Sequence, residues 1–286
     1  MHSIRHTPIS YLLCIRVRFN WGLLQPDNYF KKFRQRLLDN FEWDENPTAC
    51  CSSAKNHYVG LFYEHKEELS HYFKILYRIL KILDDSDIEE KEKFRYVKIL
   101  RSQISENEML AIYYNSHSNY GGKFYNYVLT YNFLKHLPSI SKPEFKGFIH
   151  NKTSLPDLLR FNSDIYQLLS EFISQRDHRL KDEDFLEEKA SFPLPQNNSL
   201  ILGFKSTDYH ELDIEISHPI DIANYKILDF DLNGFIAYFK FFVFDIFISS
   251  TYQDMSCDCI THKVDGSKVI FEIRSKSKLL LNVDRD

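Results

Sequence analysis

Apolar side chains recur every three or four residues between Leu69 and Leu83, and this spacing constrains the fold more than any other feature of the chain. Leu69, Phe73, Leu76, Leu80 and Leu83 would all project from one face of an α-helix, so that face must be buried against other elements. The acidic segment DDSDIEE then ends the pattern. This stretch therefore predicts an amphipathic helix that packs within a larger helical region.

Similar periodicity predicts further helices on both sides of this segment. Residues 28–40 predict a short basic amphipathic helix. Three later segments also predict helices: KEKFRYVKILR, KFYNYVLTYNFLKHL and DLLRFNSDIYQLLSEFISQR. The S-x-x-E spacing predicts capping boxes at Ser86 with Glu89 and at Ser105 with Glu108. Gly121 and Gly122 interrupt the helical pattern between the capping box predicted at Ser105 and the helix predicted for KFYNYVLTYNFLKHL. We expect three or four antiparallel helices here.

The pattern changes near KASFPLPQNNS, where prolines, asparagines and serines predict a boundary. Beyond it, SLILGF, ELDIEIS, YKILDFDL, FIAYFKFFVFDIF and VIFEIRS predict strands, and Asp265-Gly266 predicts a turn. The sequence thus predicts an α+β protein, with a helical N-terminal and central region followed by a β-rich C-terminal module. We expect an N-terminal extension of uncertain fold at 1–60, a helical core at 61–190 and the β-rich module at 198–286.

Composition narrows the class of protein. Only 8 glycines and 9 prolines accompany 24 phenylalanines and 18 tyrosines, which argues against a glycine-rich phosphate loop and for aromatic packing. The net charge of -4 gives no general attraction to nucleic acid, although a local basic face could still bind it. No motif points to a cofactor.

The cysteines and the apolar segments bear on location. The five cysteines are an odd number, and the adjacent Cys50 and Cys51 are unsuited to an ordinary disulfide, which favours a reducing cytoplasm. The N-terminal apolar run is interrupted by Arg16 and Arg18. The run from Gly234 contains Lys240 and Asp245. We therefore expect no membrane span and a cytoplasmic protein.

Basic residues on the first helix are the leading candidates for chemistry. His71, Lys74, Arg78 and Lys81 lie three or four residues apart, so they share a face that is offset from the leucines. That face could bind an anion or RNA, or it could simply be solvated. Arg101, close to Gln103, borders an apolar stripe and should need a carboxylate partner, for which Asp84 and Glu108 are available in sequence.

Other constellations are weaker. Cys257, Cys259 and His262 lack a fourth zinc ligand at usual spacing, so cysteines on one strand face are the favoured interpretation and we expect no metal site. Asp229, Asp231 and FEIRSK faintly resemble a metal-dependent nuclease, but Arg274 replaces the lysine. No arginine precedes a histidine by four to six residues, as helical toxic ribonucleases require. The cluster YYNSHSNYGGKFYNY could stack bases, but tyrosines that pack helices are the favoured interpretation.

Three segments together resemble the bacterial phage abortive-infection family known as AbiC-like, over roughly residues 60–137. HYFKILYRILKILDDSD, KILRSQISENEMLAIYYN and KFYNYVLTYNFLKHL follow one another in the order and spacing of that family. The residues that match its pattern are His71, Tyr72, Phe73, Leu76, Tyr77, Leu100, Arg101, Gln103, Ser105, Glu108, Leu110, Tyr114, Asn115, Lys123, Phe124 and Tyr131. Lys74 departs from it, because the family tends to have arginine there, and so a bidentate anion contact is not expected at that position.

The resemblance implies antiviral defence by growth arrest or death of the infected cell, and it implies no catalytic residue. The helical region would be the common core, and the β-rich region a variable sensor or effector. The alternatives are an RNA-binding or RNA-cleaving toxin acting through His71, Lys74, Arg78 and Arg101, and a non-catalytic scaffold that binds a phage or host trigger protein. The chain could also form an oligomer.

Overall fold

The structure is a computed structural model, and it describes residues 26–39, 41–44, 46–148, 155–177, 186–194, 198–206, 210–217, 231–250 and 260–275. The helices are α1 (Pro26–Asp39), α2 (Pro47–Glu64), α3 (Lys66–Asp84), α4 (Glu90–Arg101), α5 (Glu106–Ser116), α6 (Gly122–Thr130), α7 (Leu155–Asp177) and α8 (Leu232–Ser250). Short 3₁₀ turns cover Ser139–Ser141 and Pro143–Phe148, and the strands are β1 (Leu186–Leu194), β2 (Asn198–Ser206), β3 (His210–Ser217), β4 (Ile260–Asp265) and β5 (Lys268–Ser275). The predicted α+β class is confirmed.

The chain divides into two compact units. The first, called here the helical unit, consists of Met1–Phe41 and Ser53–Leu137, and the second consists of Glu42–Ser52 and Pro138–Arg285. The predicted ranges 1–60, 61–190 and 198–286 stay a prediction.

Helix α3 packs against α4 and α6 in the helical unit. All five residues of its predicted apolar face, Leu69, Phe73, Leu76, Leu80 and Leu83, are buried. Ring contacts from Phe73 to Phe124 and from Tyr77 to Tyr127 show that α6 runs beside α3 in the same direction. Helix α5 packs against α1 in the same unit. Aromatic side chains thus hold the unit together, as the composition predicts.

Two helix boundaries in this unit differ from prediction. Ser86 does not cap α4: its hydroxyl donates to the Leu83 carbonyl at the end of α3, and α4 begins only at Glu90. Helix α6 ends at Thr130 rather than continuing to Leu137. The reason is the backbone of Asn132, whose φ of 45° is a left-handed conformation that stops a helix.

The second unit contains an antiparallel five-stranded sheet in the order β1-β2-β3-β5-β4. Alternate residues of β2, β3 and β5 are buried on one face, among them Leu202, Ile214 and Phe271. The predicted turn between β4 and β5 is present, with Gly266 at a φ of 57°. The predicted strands SLILGF, ELDIEIS and VIFEIRS are therefore confirmed.

The run FIAYFKFFVFDIF is a helix, so its prediction as a buried strand is wrong. In α8, residues from Phe235 to Ile246 are buried on nearly every side, and Phe239 lies 4.7 Å, between ring centroids, from Phe271 of the sheet. Aromatic residues favour strands only when cross-strand neighbours are available, and here burial on all sides replaces that preference. A run of this length is also long for a strand.

Near residue 195 the first strand begins earlier than the sequence pattern indicates. Helix α7 already ends at Asp177, and KASFPL belongs to β1 rather than to a linker. The YKILDF part of the remaining predicted strand, together with Asp229, Cys257 and Cys259, lies outside the described residues, as do residues 1–25 with Arg16 and Arg18.

Candidate functional site

Glu108 joins α3 to the start of α5. Its Oε2 accepts from the Ser105 backbone N–H at 2.8 Å, and the Ser105 hydroxyl oxygen accepts from the Glu108 backbone N–H at 3.3 Å, so the predicted capping box is present. Its Oε1 accepts from the Tyr72 hydroxyl at 3.2 Å. Glu108 therefore caps one helix and fixes a second with the same carboxylate.

Tyr72 is buried beneath this contact. Its ring packs 4.9 Å from Phe30 and 5.3 Å from Phe73, measured between centroids. Burial, followed by the nearby Glu108 carboxylate, raises the pKa of the Tyr72 phenol well above its usual value. The hydroxyl thus remains a donor at neutral pH, which is the role that its position requires.

Arg101 ends α4 and is also buried. Its guanidinium donates to the backbone carbonyl of Asn132 at 2.8 Å, so its partner is a carbonyl and not the carboxylate of Asp84 or Glu108 that the sequence suggested. Burial lowers the pKa of Arg101, which nevertheless stays charged. The contact holds the left-handed turn that follows α6.

The end of α5 meets the start of α6 around Asn115. Asn115 is buried, and its carbonyl accepts from the Ser118 N–H and hydroxyl at 3.1 and 2.7 Å. A Cβ placed on Gly121 would lie 2.0 Å from the same carbonyl oxygen. The neighbouring Tyr114 stacks on Tyr58 with 5.8 Å between centroids. Only glycine fits at position 121 in this arrangement.

The charged candidates of α3, together with Gln103, lie on the surface. On α3, His71, Lys74 and Arg78 are exposed and project away from the buried face. Lys81 forms an exposed pair with Asp85 at 2.6 Å. Gln103 is also exposed and donates to the Ser102 hydroxyl. Within the described residues, neither Lys74 nor Arg78 forms an ion pair.

The predicted site residues therefore do not converge on one cleft. Tyr72 with Glu108, Arg101 with Asn132, and Asn115 with Gly121 form three separate contacts between helices. Phe73 is buried between Tyr72 and Phe124, and Tyr77 packs against Tyr127. The candidate residues thus comprise residues that fix helix junctions and residues on one exposed helix face.

An exposed aromatic pair was not singled out from the sequence. Tyr63 and Tyr120 are 54% and 48% exposed, their hydroxyls are hydrogen bonded, and their rings meet edge to face at 5.7 Å. Tyr120 also stacks on Phe62 at 5.1 Å, and the Lys66 ammonium lies 5.8 Å from the Tyr63 centroid. The cluster YYNSHSNYGGKFYNY contained Tyr120, but nothing in the sequence showed which of its tyrosines are exposed.

The second unit holds a buried ion pair that sequence reasoning also missed. Lys142 Nζ lies 2.5 Å from Asp245 Oδ1, and both side chains are almost completely buried. Glu144 is buried nearby, and its carbonyl accepts from the Trp43 indole N–H at 2.8 Å. Burial, with Glu144 and Asp245 nearby, raises the pKa of Cys51 well above its usual value, so this thiol is a poor nucleophile at neutral pH.

The described parts of the chain show no group of three or more histidine, cysteine or carboxylate side chains that could hold a metal ion. Asp231 accepts from the Gly234 N–H at the start of α8, and Arg274 lies 3.2 Å from Glu211, so both have structural partners. No helix among the described residues is both long and apolar enough to span a membrane.

Comparison with known proteins gives one family. Residues 64–142 match the family described as "putative phage abortive infection protein", which confirms the AbiC-like resemblance over that part of the chain. No curated protein and no solved structure matches the chain. The match begins just before α3 and ends at Lys142, so it contains the three helix junctions and the exposed face of α3.

Proposed function

We propose that this protein limits phage spread by arresting or killing the infected cell, and that it acts by binding a partner through the exposed face of α3. The family match supports a role in phage defence. The binding mode is supported by the division of the candidate residues into buried junctions and one exposed face.

The observation that carries the proposal is the composition of that face. Lys74 and Arg78 lie one turn apart, and neither is neutralised within the described residues. Ile82 follows one turn later and is 64% exposed. Two cations beside an exposed apolar side chain form a surface that an acidic partner with an apolar contact would fit. An unidentified phage or host trigger is the partner we propose.

A ribonuclease that uses Arg101 is less well supported. Its guanidinium is buried and already donates to the Asn132 carbonyl, so it has little freedom to contact a phosphate. The helix junctions therefore favour a positioning role for Arg101 and a binding role for the exposed face.

The test is phage plating on bacteria that express wild-type protein, the double variant Lys74→Glu/Arg78→Glu, or the matched control Lys91→Glu/Arg95→Glu. The control reverses two exposed charges on α4 of the same unit. We expect protection to be lost in the first variant and kept in the control, with equal amounts of folded protein. Full protection by Lys74→Glu/Arg78→Glu would overturn the role of the α3 face.

A further inference from the structure

We propose that the line where α3 meets α6 binds single-stranded RNA. This line, called here the α3/α6 seam, contains Lys74 and Tyr77 of α3, Lys123 and Tyr127 of α6, and the exposed pair Tyr63 and Tyr120 at one end. The seam borders the α3 face used in the proposed function and shares Lys74 with it, and the inference rests on that proposal for its role in defence.

The seam is free of acidic side chains over most of its length. No aspartate or glutamate occurs between Leu69 and Leu83, which covers most of α3, or between Met109 and Pro143, which covers α6. The whole chain carries a net charge of -4, whereas α3 between Leu69 and Leu83 and all of α6 contribute only cations, with Asp84 and Asp85 near Tyr127 at the far end of the seam. Such a surface attracts a polyanion although the protein as a whole does not.

The cations of the seam lie along both helices. Lys74 is exposed on α3, and Lys123 is exposed on α6, one turn before Tyr127 and on the same side of that helix. Because Tyr127 packs on Tyr77, this side of α6 faces the seam. The two lysines therefore lie on opposite borders of one surface.

The aromatic rings suit bases rather than phosphates. One face of the Tyr120 ring is covered by Phe62, yet almost half of the residue remains exposed. A nucleobase on the open face would extend the Phe62–Tyr120 stack by one ring. Tyr77 and Tyr127 offer a second, half-buried aromatic pair further along α3.

The spacing of these features suits a short single strand. Lys66, beside the Tyr63 ring, and Tyr77 are separated by about 16 Å along α3 at the usual helical rise. Aromatic platforms that alternate with lysines over such a distance are the common means of binding unpaired strands without sequence preference. A duplex would hide its base faces from these rings, and an anionic bilayer would leave them without a stacking partner.

The test measures the anisotropy of a fluorescein-labelled oligouridine as purified protein is added at several salt concentrations. Wild-type protein should bind, and Tyr120→Ala should weaken binding about fivefold or more, whereas Tyr120→Phe should retain it. Lys74→Gln/Lys123→Gln should lower the slope of log affinity against log salt by about 1.4, since each phosphate contact on a single strand contributes about 0.7.

The matched control is Lys91→Gln/Arg95→Gln, which removes the same charge from α4. It should bind as wild type does. Absence of RNA binding by the wild type, equal loss in the seam variant and the control, or binding only to phosphatidylglycerol vesicles would each overturn the inference. If the protein protects cells but does not bind RNA, only this inference fails. If it binds RNA as expected but does not protect, only the proposed function fails.

Discussion

At the scale of single residues, Gly121 is the glycine with the least space for a side chain. A Cβ there would overlap the Asn115 carbonyl, whereas one on the next residue, Gly122, would have no heavy atom within 4 Å. We expect Gly121→Ala to lower the free energy of unfolding by about 1–3 kcal/mol, because the end of α5 must move. Urea denaturation followed by circular dichroism measures this.

Gly122→Ala is the matched control. It places the same methyl group in open space at the first residue of α6, where alanine favours the helix. We expect it to be neutral or to stabilise the protein by up to about 1 kcal/mol. Equal destabilisation by the two alanines would contradict the contact described for Asn115.

Arg101 carries a second prediction at this scale. Arg101→Ala leaves the Asn132 carbonyl without its charged donor, so we expect a loss of about 1.5–3 kcal/mol in the free energy of unfolding. Arg95→Ala, on the exposed side of the same helix, should change it by no more than about 0.5 kcal/mol. A stable Arg101→Ala protein would return Arg101 to the candidates for a direct functional role.

The sequence located Arg101 but not its partner. An arginine beside an apolar stripe predicts a polar partner, and the buried Arg101 has one. Its partner, the Asn132 carbonyl, lies 31 residues away in a turn whose left-handed backbone no spacing rule indicates. Helical periodicity predicts which side of a helix is buried, but it does not predict contacts made by backbone atoms of distant turns.

At the scale of elements, local sequence signals predicted the amphipathic helices correctly but predicted a strand for the long apolar run, which is a helix. The apolar face of α3 and the Ser105–Glu108 capping box depend on neighbours within a few residues, and both are present. In α8, by contrast, strand-favouring aromatics form a helix because the side chains around it supply apolar contacts on all sides. Those contacts come from segments that are distant in the sequence, so the local sequence pattern does not predict them.

The contact between the 3₁₀ turns and α8 gives a prediction for the second unit. Lys142 and Asp245 are buried together, so removing one charge leaves the other buried without its ion-pair partner. We expect Asp245→Ala to lower the free energy of unfolding by about 3–5 kcal/mol. Asp164→Ala, which removes a carboxylate from the exposed pair with Arg160, should cost no more than about 1 kcal/mol in the same denaturation experiment.

A double variant separates charge pairing from simple packing. In Lys142→Met/Asp245→Leu no charge is left unpaired, and the apolar side chains have similar volume. We expect it to be clearly more stable than Asp245→Ala. If the double variant is no more stable than the single one, the pair contributes through its shape and not through neutralisation.

At the scale of the whole molecule, buried tyrosines make the free energy of unfolding decrease at alkaline pH. Burial raises the pKa of Tyr29 to about 12 and raises those of Tyr58, Tyr131 and Tyr238 further. In the unfolded chain these phenols ionise near pH ~10. Above that pH the folded state therefore binds more protons than the unfolded state, so the free energy of unfolding falls as pH rises and is unaffected below about pH 9.

Spectroscopic titration measures this effect. We expect the tyrosinate absorbance of Tyr29, Tyr58, Tyr131 and Tyr238 to develop together with the loss of helical circular dichroism above about pH 10. If all tyrosines ionised near pH ~10 while the dichroism stayed constant, the aromatic packing described for the two units would be contradicted.

The central claim concerns the whole protein in the infected cell. Its most direct test is to follow the survival of bacteria that express the protein after infection at low and at high phage-to-cell ratios, with Lys74→Glu/Arg78→Glu and Lys91→Glu/Arg95→Glu beside the wild type. The account predicts that wild-type and control cultures survive at the low ratio and collapse at the high ratio, whereas the α3 variant fails at both. Wild-type cells that survive equally at both ratios, or an α3 variant that protects fully, would contradict it.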